Sequence, residues 1–436
     1  MDYAGQKLLN GPNQLRPDNS AGTLACLSVR FALEFNMDVS ARDVSYTQVE
    51  RHMRLCIAAT VGLEKMITIP GSEPLLAEAA YQLMKGTKSA VRHLAEHPNL
   101  NCFDRGRRGE LVATLLIMQA YDAAREISDR RYVSVANFME ALLPASKYKT
   151  LLGSGPSSLP MDSDTAETFK EIFKDYGLWF NHVIKIENKE MISIDHLWKF
   201  VTRGAMILCA TGQDGIDIVL PVHHMRQNLG PNSVTAVVIR VENAERCMDA
   251  LSPMLFDVMD SVVKSLMFSS IGVESESDPD PDSDFEETSE PGEPPKKKQK
   301  TQPKMADLKP VIRLVFALAS PEPAVIFRTW PENRHHFDFE GDQLITFDIW
   351  LAGLSCETFR QIQEGDLQPY KQLLERSLMP HDAFKLKEEP NEIGEVARQA
   401  RGPRRRRMAP LALPGRGHHG IHLPAPKGPA EGSTTV

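Results

Sequence analysis

Four charged side chains stand at positions from which they could act together on a phosphate group. Glu110 falls in a predicted helix, Asp217 opens a predicted strand, and Arg240 and Glu242 lie two residues apart on the next strand. Because strand side chains alternate between the two faces of a sheet, residues 240 and 242 point to the same face. Carboxylates that converge at one sheet edge can hold a divalent cation such as Mg²⁺, which polarises a phosphate and lowers the pKa of an attacking water.

Helical and strand-like patterns alternate along the part of the chain that carries these side chains. Apolar residues recur at helical spacing between 106 and 127, which predicts a helix there. Short runs rich in Val and Ile predict strands over 205–210, 215–222, 233–241 and 309–319, and a helix is predicted over 252–268. This order predicts an α/β domain with a mixed central sheet flanked by helices, arranged as an αβββαβ core.

The first hundred residues have a different character from this core. Residues 1–100 are predicted to form a helical N-terminal part, in which one helix begins at Pro74.

Two more helices are predicted over 162–183 and 344–362, because aromatic and aliphatic residues recur there at intervals that suit a helix.

Two segments have too few apolar residues to form a core. Residues 272–307 run from an acidic stretch into a lysine-rich one, and residues 385–436 are rich in Pro, Gly and Arg. Such compositions do not bury enough apolar area to offset the chain entropy, so both segments are predicted to be disordered. The α/β domain is accordingly predicted to span 101–271 and 308–384.

Three short motifs resemble those of the PD-(D/E)XK, or restriction-endonuclease-like, family. They are Arg107-Arg-Gly-Glu-Leu-Val-Ala, Gln213-Asp-Gly-Ile-Asp and Val238-Ile-Arg-Val-Glu-Asn. Segments 203–209, 213–222, 310–320 and 347–355 also resemble expanded, uncharacterised basidiomycete fungal proteins of this type, some of them related to Crinkler-type effectors. The resemblance extends over residues 100–380 and implies the αβββαβ fold more strongly than it implies an activity.

The resemblance also implies roles for individual residues. Glu110 takes the place of the family's helix carboxylate and Asp217 that of its metal-binding aspartate, with Mg²⁺ as the cofactor if the site is active. The third motif departs from the family's (D/E/Q)-x-K, because Arg240 stands where an acid or Gln is expected and Glu242 where the Lys is expected. A guanidinium cannot ligate Mg²⁺ and a carboxylate cannot supply the positive charge of the lysine. Arg240 and Glu242 are therefore expected to pair with each other or with Glu110 and Asp217 in a degenerate site.

Three functions follow from these patterns. The first is a degenerate nuclease-like protein that binds nucleic acid or a protein partner without cleavage. The second is an active Mg²⁺-dependent DNA endonuclease that uses Glu110 and Asp217, with Glu242 in an altered site. The third is a pure protein-interaction module whose basic segments bind acidic partners.

Two basic runs bear on partners and localisation. Lys296, Lys297, Lys298 and Lys300 resemble a nuclear-import signal, which an acidic groove of a nuclear-import receptor would bind. Arg404, Arg405, Arg406 and Arg407 could form a second signal or a nucleic-acid-binding tail. The sequence therefore predicts a nuclear protein, or otherwise a cytoplasmic one.

Composition restricts the remaining possibilities. The net charge of −8 argues against a uniformly basic surface for nucleic acid, although a local basic groove stays possible, and 7% aromatic residues argue against a broad base-stacking platform. The six cysteines form no CxxC pair, which indicates reduced thiols rather than a disulfide framework. No apolar run approaches the roughly 18–20 residues that span a bilayer, so no membrane partner is predicted.

Overall fold

The computed structural model describes residues 1–16, 19–33, 39–59, 66–87, 89–96, 105–128, 132–158, 167–243, 253–268, 309–328 and 344–375. All of them belong to one compact unit, Met1–Leu378. The two segments predicted to be disordered, 272–307 and 385–436, lie outside the described residues, and so do both basic runs.

The N-terminal part combines helices with a small antiparallel sheet. Its elements are α1 (Asp2–Leu9), α2 (Ser20–Phe31), α3 (Val39–Arg51), β1 (Arg54–Ala59), β2 (Met66–Pro70), α4 (Pro74–Met84) and α5 (Ala90–Glu96). The β1–β2 hairpin differs from the purely helical prediction. It is fixed by the buried Arg54, whose guanidinium donates to Thr68 Oγ1 at 2.6 Å and to the carbonyl oxygen of Leu33 at 2.8 Å. A buried guanidinium needs hydrogen-bond acceptors, and the hairpin brings Arg54 to them. The local pattern of apolar residues did not indicate this strand.

Charged contacts join this part to the long helix α6 (Arg105–Ser128). Arg30 of α2 pairs with Asp122 at 2.8 Å, and Arg125 pairs with Glu78 of α4 at 2.7 Å. The ring of Tyr81 lies 5.3 Å from the Arg30 guanidinium and 4.8 Å from that of Arg125. These ion pairs and cation–aromatic contacts fix the N-terminal part against α6.

The larger sheet contains the remaining strands. After α6 the chain forms β3 (Val133–Ser134), α7 (Val135–Leu142), α8 (Ala145–Leu152), α9 (Phe169–Ile172), β4 (Tyr176–Leu178), β5 (His182–Lys185), α10 (Ile194–Arg203), β6 (Ala205–Leu208), β7 (Ile218–His224), β8 (Val234–Glu242), α11 (Pro253–Phe268), β9 (Lys309–Ala317), β10 (Ala324–Phe327), β11 (Leu344–Ala352) and α12 (Glu364–Glu375).

Parallel and antiparallel pairs both occur in this sheet. The strand order is β10-β11-β9-β8-β7-β4-β3, with β6 paired to both β7 and β5. Strands β6, β7 and β8 follow one another antiparallel, whereas β9 runs parallel to both β8 and β11. The predicted mixed α/β architecture with a sheet flanked by helices is therefore confirmed. Each of the four predicted strands of the core is also present, as β6, β7, β8 and β9.

Helices cover both faces of the sheet. On β8, Val237 and Ile239 join the core cluster that contains α6, while Ala236 and Val238 join the cluster that contains α10 and α11. A strand whose successive residues are all buried in this way belongs to a sheet covered on both sides. Strand alternation thus assigns Arg240 and Glu242 to the α10/α11 side and Val241 to the α6 side.

Two predicted helices are wrong. The described part of 162–183 contains only the four-residue α9 before the chain enters β4 and β5. Residues 344–362 begin with β11, in which all nine residues are buried between β9 and β10. In β11 the aromatic and β-branched residues are buried within a strand. Phe169, Phe173 and Phe180 are instead buried from α9 and from the segments that flank β4, so a helical pattern of apolar residues belonged to two kinds of structure.

A buried ion-pair cluster fastens α11 to the sheet. Arg313 of β9 donates to both carboxylate oxygens of Asp348 on β11, at 2.7 and 2.8 Å. Its Nη1 atom also donates to the carbonyl oxygen of Phe256 at 3.0 Å and to Asp260 Oδ1 at 3.1 Å, both on α11. The Arg313 and Asp348 side chains are 7% and 1% exposed.

None of the helices in the described residues is both long and apolar enough to cross a membrane.

Candidate functional site at the end of strand β8

Asp217 is held between two strands by its own backbone. Its N–H donates to the carbonyl oxygen of Ile239 at 2.9 Å, and its carbonyl oxygen accepts from Cys209 N–H at 2.8 Å. The carboxylate is mostly buried, with 17% of the side chain exposed. Its Oδ2 atom accepts a hydrogen bond of 2.7 Å from the backbone N–H of Val241. The last turn of chain before β7 thus fixes one acidic group against the end of β8.

Two glycines allow the tight turn that leads into Asp217. Gly212 and Gly215 have φ values of +77° and +83°, a region that favours glycine. A Cβ atom on Gly215 would also lie 3.1 Å from Val262 Cγ2 and 3.2 Å from the Val258 carbonyl oxygen. The turn therefore packs directly on α11, and its position sets that of Asp217.

Arg240 lies between two carboxylates. Its Nε atom donates to Glu242 Oε1 at 2.9 Å, and its Nη1 atom lies 3.6 Å from Asp217 Oδ1. The side chains of Arg240 and Glu242 are 28% and 14% exposed. The pairing follows from strand alternation, because residues 240 and 242 share a face and Asp217 enters on the neighbouring strand.

Glu110 reaches the same end of the sheet from the other side. Gly109 precedes it in α6, and a Cβ atom there would lie 3.0 Å from Asn243 Cβ and 3.2 Å from Val241 Cγ1, so the helix approaches the end of β8 closely. The charges of Asp217 and Glu110 both act on the thiol of Cys209. Glu110 is therefore near this cluster, whereas the hydrogen-bonded network itself consists of Asp217, Arg240 and Glu242.

Burial has the largest effect on the pKa values of this site, and neighbouring charges have a smaller one. Burial raises the pKa of Asp217, and the charge of Glu242 adds to this, while Arg240 and the Val241 N–H oppose it. Burial alone would lower the pKa of Arg240, but Asp217, Glu242 and Asp214 raise it. Burial also raises the pKa of the Cys209 thiol well above its usual value, and the nearby acids increase the effect.

The donor set does not fit Mg²⁺. Asp217 Oδ2 accepts from a backbone N–H, and Asp217 Oδ1 and Glu242 Oε1 both face the Arg240 guanidinium. Mg²⁺ requires oxygen ligands in near-octahedral geometry, and a guanidinium between the carboxylates supplies none. In the described part of the chain, no group of three or more His, Cys, Asp or Glu side chains is arranged to hold a metal ion.

Sequence reasoning missed three groups that shape this site. They are the Cys209 thiol, the Asp214 carboxylate and the backbone N–H of Val241. Asp214 stands three residues before Asp217 in a glycine-containing turn, and this spacing is a signal that both carboxylates lie near Arg240. No sequence pattern reveals that Val241 contributes through its backbone.

Removing the central cation should destabilise the site in a pH-dependent way. In Arg240→Met, the partly buried carboxylates of Asp217 and Glu242 would lose the guanidinium that lies between them. We expect the free energy of unfolding at pH 7 to fall by about 1–2 kcal/mol, less than for a fully buried pair because Arg240 is partly exposed. Since the pKa of Asp217 is already raised and would rise further, protonation should relieve this loss as the pH falls towards 4.

The control for this variant is Arg226→Met. Arg226 pairs with Asp175 at 2.8 Å, but its side chain is 74% exposed. Such a surface pair contributes about 0–1 kcal/mol. Urea unfolding at pH 7 and at about pH 4.5 compares the two variants, and equal losses with no pH dependence would contradict a charge-neutralising role for Arg240.

Comparison with known proteins gives one family. No curated protein and no solved structure matches this chain. Residues 17–254 match a family described as a domain of unknown function, DUF8736. The matched stretch contains α6, all three antiparallel core strands and each of Glu110, Asp217, Arg240 and Glu242. Because it covers more than half of the chain, this protein belongs to the DUF8736 family.

Proposed function

We propose that this chain is a restriction-endonuclease-like protein with a degenerate metal site, and that it binds nucleic acid without cleaving it. The observation that carries the proposal is the guanidinium of Arg240 between Asp217 and Glu242. In a metal-dependent nuclease, carboxylates in this arrangement hold the cation that activates water. Here an arginine provides the compensating charge within the chain itself.

The order of the core elements supports the ancestry. With the inserted elements from β3 to α10 left aside, helix α6 is followed by the antiparallel strands β6, β7 and β8, then by α11, and then by β9 parallel to β8. This is the succession that the resemblance to PD-(D/E)XK proteins implies. Asp217 lies just before β7, and Arg240 and Glu242 lie at the end of β8, which supports the proposal. A fold alone does not establish an activity, so the proposal depends on the site.

We assign nucleic-acid binding to the two basic runs, at residues 296–300 and 404–407. The net charge of −8 requires any attraction to nucleic acid to be local. Four lysines among residues 296–300 and four consecutive arginines at 404–407 provide such concentrations of charge. Lysine and arginine that neutralise phosphates release counterions, so the affinity should fall steeply with salt. The lysine run also suits a nuclear-import receptor, which would bring the protein to its nucleic acid.

The test combines binding and cleavage by the full chain. We expect the protein to retard a short DNA duplex in a gel, to lose this binding as salt rises, and to leave supercoiled plasmid intact with Mg²⁺ or Mn²⁺. Replacing Arg404, Arg405, Arg406 and Arg407 with Ser should weaken binding several-fold and reduce the salt slope by about 0.9 for each phosphate that the variant no longer neutralises. Asp217→Ala is the matched control, because it should change neither binding nor the absence of cleavage.

Two results would overturn the proposal. Metal-dependent nicking that Asp217→Ala abolishes would make the protein an active endonuclease, in which Arg240 moves aside to admit the metal. Absence of a gel shift even at low salt, together with a retained protein partner, would leave a pure interaction module.

A further inference from the structure

A cleft opens where three parallel strands end together. In the parallel registers, Glu242 of β8 pairs with Ala317 of β9, and Ala317 pairs with Ala352 of β11. The carboxyl ends of β8, β9 and β11 are therefore level with one another at one edge of the sheet. In open α/β sheets, ligands bind in the crevice outside such carboxyl ends.

The cleft has the size and walls of a ligand site. Its volume is about 760 Å³, within the range of small-molecule sites. The floor follows the strand ends, while α6 and α12 form two walls. Gly353 has φ +75°, and a Cβ atom there would lie 3.0 Å from Pro323 Cα, so the loops after β9 and β11 approach each other closely. The polar lining residues are Arg108, Asn243, Ser320, Ser355, Lys371 and Glu375.

Positive charge is concentrated on the α6 side of the cleft. Arg107 and Arg108 both fall in the first turn of α6, and that turn contains no acidic residue. The N-terminus of a helix carries a partial positive charge, which adds to the charge of these side chains. Arg108 lines the cleft and is only 8% exposed, which holds its guanidinium in a fixed orientation.

Lys371 faces the same space from α12. It is exposed and lies one helical turn before Glu375, the acidic member of the lining. Two cationic side chains, a helix N-terminus and the hydroxyl groups of Ser320 and Ser355 are the groups that bind phosphate oxygens in proteins. The site is separate from the Asp217–Arg240–Glu242 network, which lies on the α10/α11 side of β8.

We propose that this cleft binds a phosphate group through Arg108 and Lys371. The inference does not require a nuclease ancestry, because it stands on the strand ends, the cleft and the two cations. The phosphate would belong either to a free nucleotide-sized ligand or to the backbone of a nucleic acid. Both sources present the same oxygens, and the cleft is large enough for a nucleotide.

The test uses inorganic pyrophosphate as the probe and the full chain as the protein. We expect calorimetry at constant ionic strength to show pyrophosphate binding to the native protein. Lys371→Glu should weaken it by about tenfold, and Lys371→Arg should retain it. Lys149→Glu, an exposed lysine on α8 outside the cleft, is the matched control and should bind as the native protein does. Arg108→Gln should also weaken binding, with the thermal midpoint recorded to show that it is folded.

The outcomes distinguish both the source of the phosphate and the two proposals. Competition between pyrophosphate and a DNA duplex would assign the cleft to a nucleic-acid backbone, and competition by ADP alone would assign it to a free nucleotide. Pyrophosphate binding without any DNA binding would support the cleft and overturn the proposed function. Binding no tighter than that of chloride, or equal binding by native protein and a folded Lys371→Glu, would overturn the inference.

Discussion

Asp348→Asn should reduce the free energy of unfolding by about 3–5 kcal/mol. The carboxylate is almost completely buried and accepts two hydrogen bonds from Arg313, while Arg328 Nη1 lies 3.6 Å from its Oδ2 atom. An amide at this position has a similar shape but cannot compensate the guanidinium charge. Among the described residues, the buried Arg313 would keep Asp260 of α11 as its charged partner. Urea denaturation at neutral pH measures the loss.

Two matched variants separate loss of charge from loss of shape. Asp257→Asn changes a 56% exposed acid 3.8 Å from Arg328, and should cost less than about 1 kcal/mol. Replacing both partners, as Arg313→Met with Asp348→Leu, removes the buried charges together and should be far less damaging than Asp348→Asn alone. A double variant as unstable as the single one would mean that the pair matters for packing rather than for charge.

Acidification from pH 7 to pH 4 should destabilise the protein by about 3 kcal/mol through His182 alone. The ring is fully buried, and burial followed by the charge of Arg203 lowers the pKa of His182 from 6.5 to about 4. Between these values the unfolded chain binds a proton that the folded chain does not. Stability is therefore complete above pH 6.5 and is lost by about 1.4 kcal/mol for each pH unit below it, until pH 4 is reached.

Comparison with His182→Gln isolates this contribution from the carboxylates that titrate in the same range. The ring lies 2.8 Å from Asn181 Oδ1 and 2.9 Å from Ser72 Oγ, so it joins β5 to the segment before α4. The variant should be less stable at pH 7, and the difference in unfolding free energy from native protein should shrink by about 3 kcal/mol at pH 4. A constant difference across this range would show that the pKa of His182 is the same in the folded and unfolded protein, which contradicts the prediction.

Strands β6 to β9 of the core could be predicted from the sequence, whereas the β1–β2 hairpin and strand β11 could not. Most residues in 234–241 are β-branched, and this composition favours a strand over a helix. The β1–β2 hairpin depends instead on the partners that Arg54 finds in Ser28, Leu33 and Thr68, far away in the sequence. Strand β11 was mistaken for a helix because a fully buried strand has no alternation to distinguish it.

The candidate site shows the same limit. Strand alternation was enough to predict that Arg240 and Glu242 share a face and would pair with each other or with neighbouring acids. The hydrogen bond from Val241 N–H to Asp217 depends on the offset between β7 and β8, which side-chain identities do not specify. The phosphate cleft was not predicted at all. It depends on three strands that end level and on a helix more than 250 residues after Arg108.

The family match ends inside the larger sheet. It ends at residue 254, after β8 but before β9, which supplies the parallel neighbour of β8 from Val237 to Glu242. A chain that stopped there would present an open row of backbone donors and acceptors along Val237 to Glu242, a stretch that is mostly valine and isoleucine. Such an edge self-associates or borrows a strand from another molecule. In this chain β9 pairs with that edge, so residues 309–317, beyond the matched stretch, complete the sheet from within the same polypeptide.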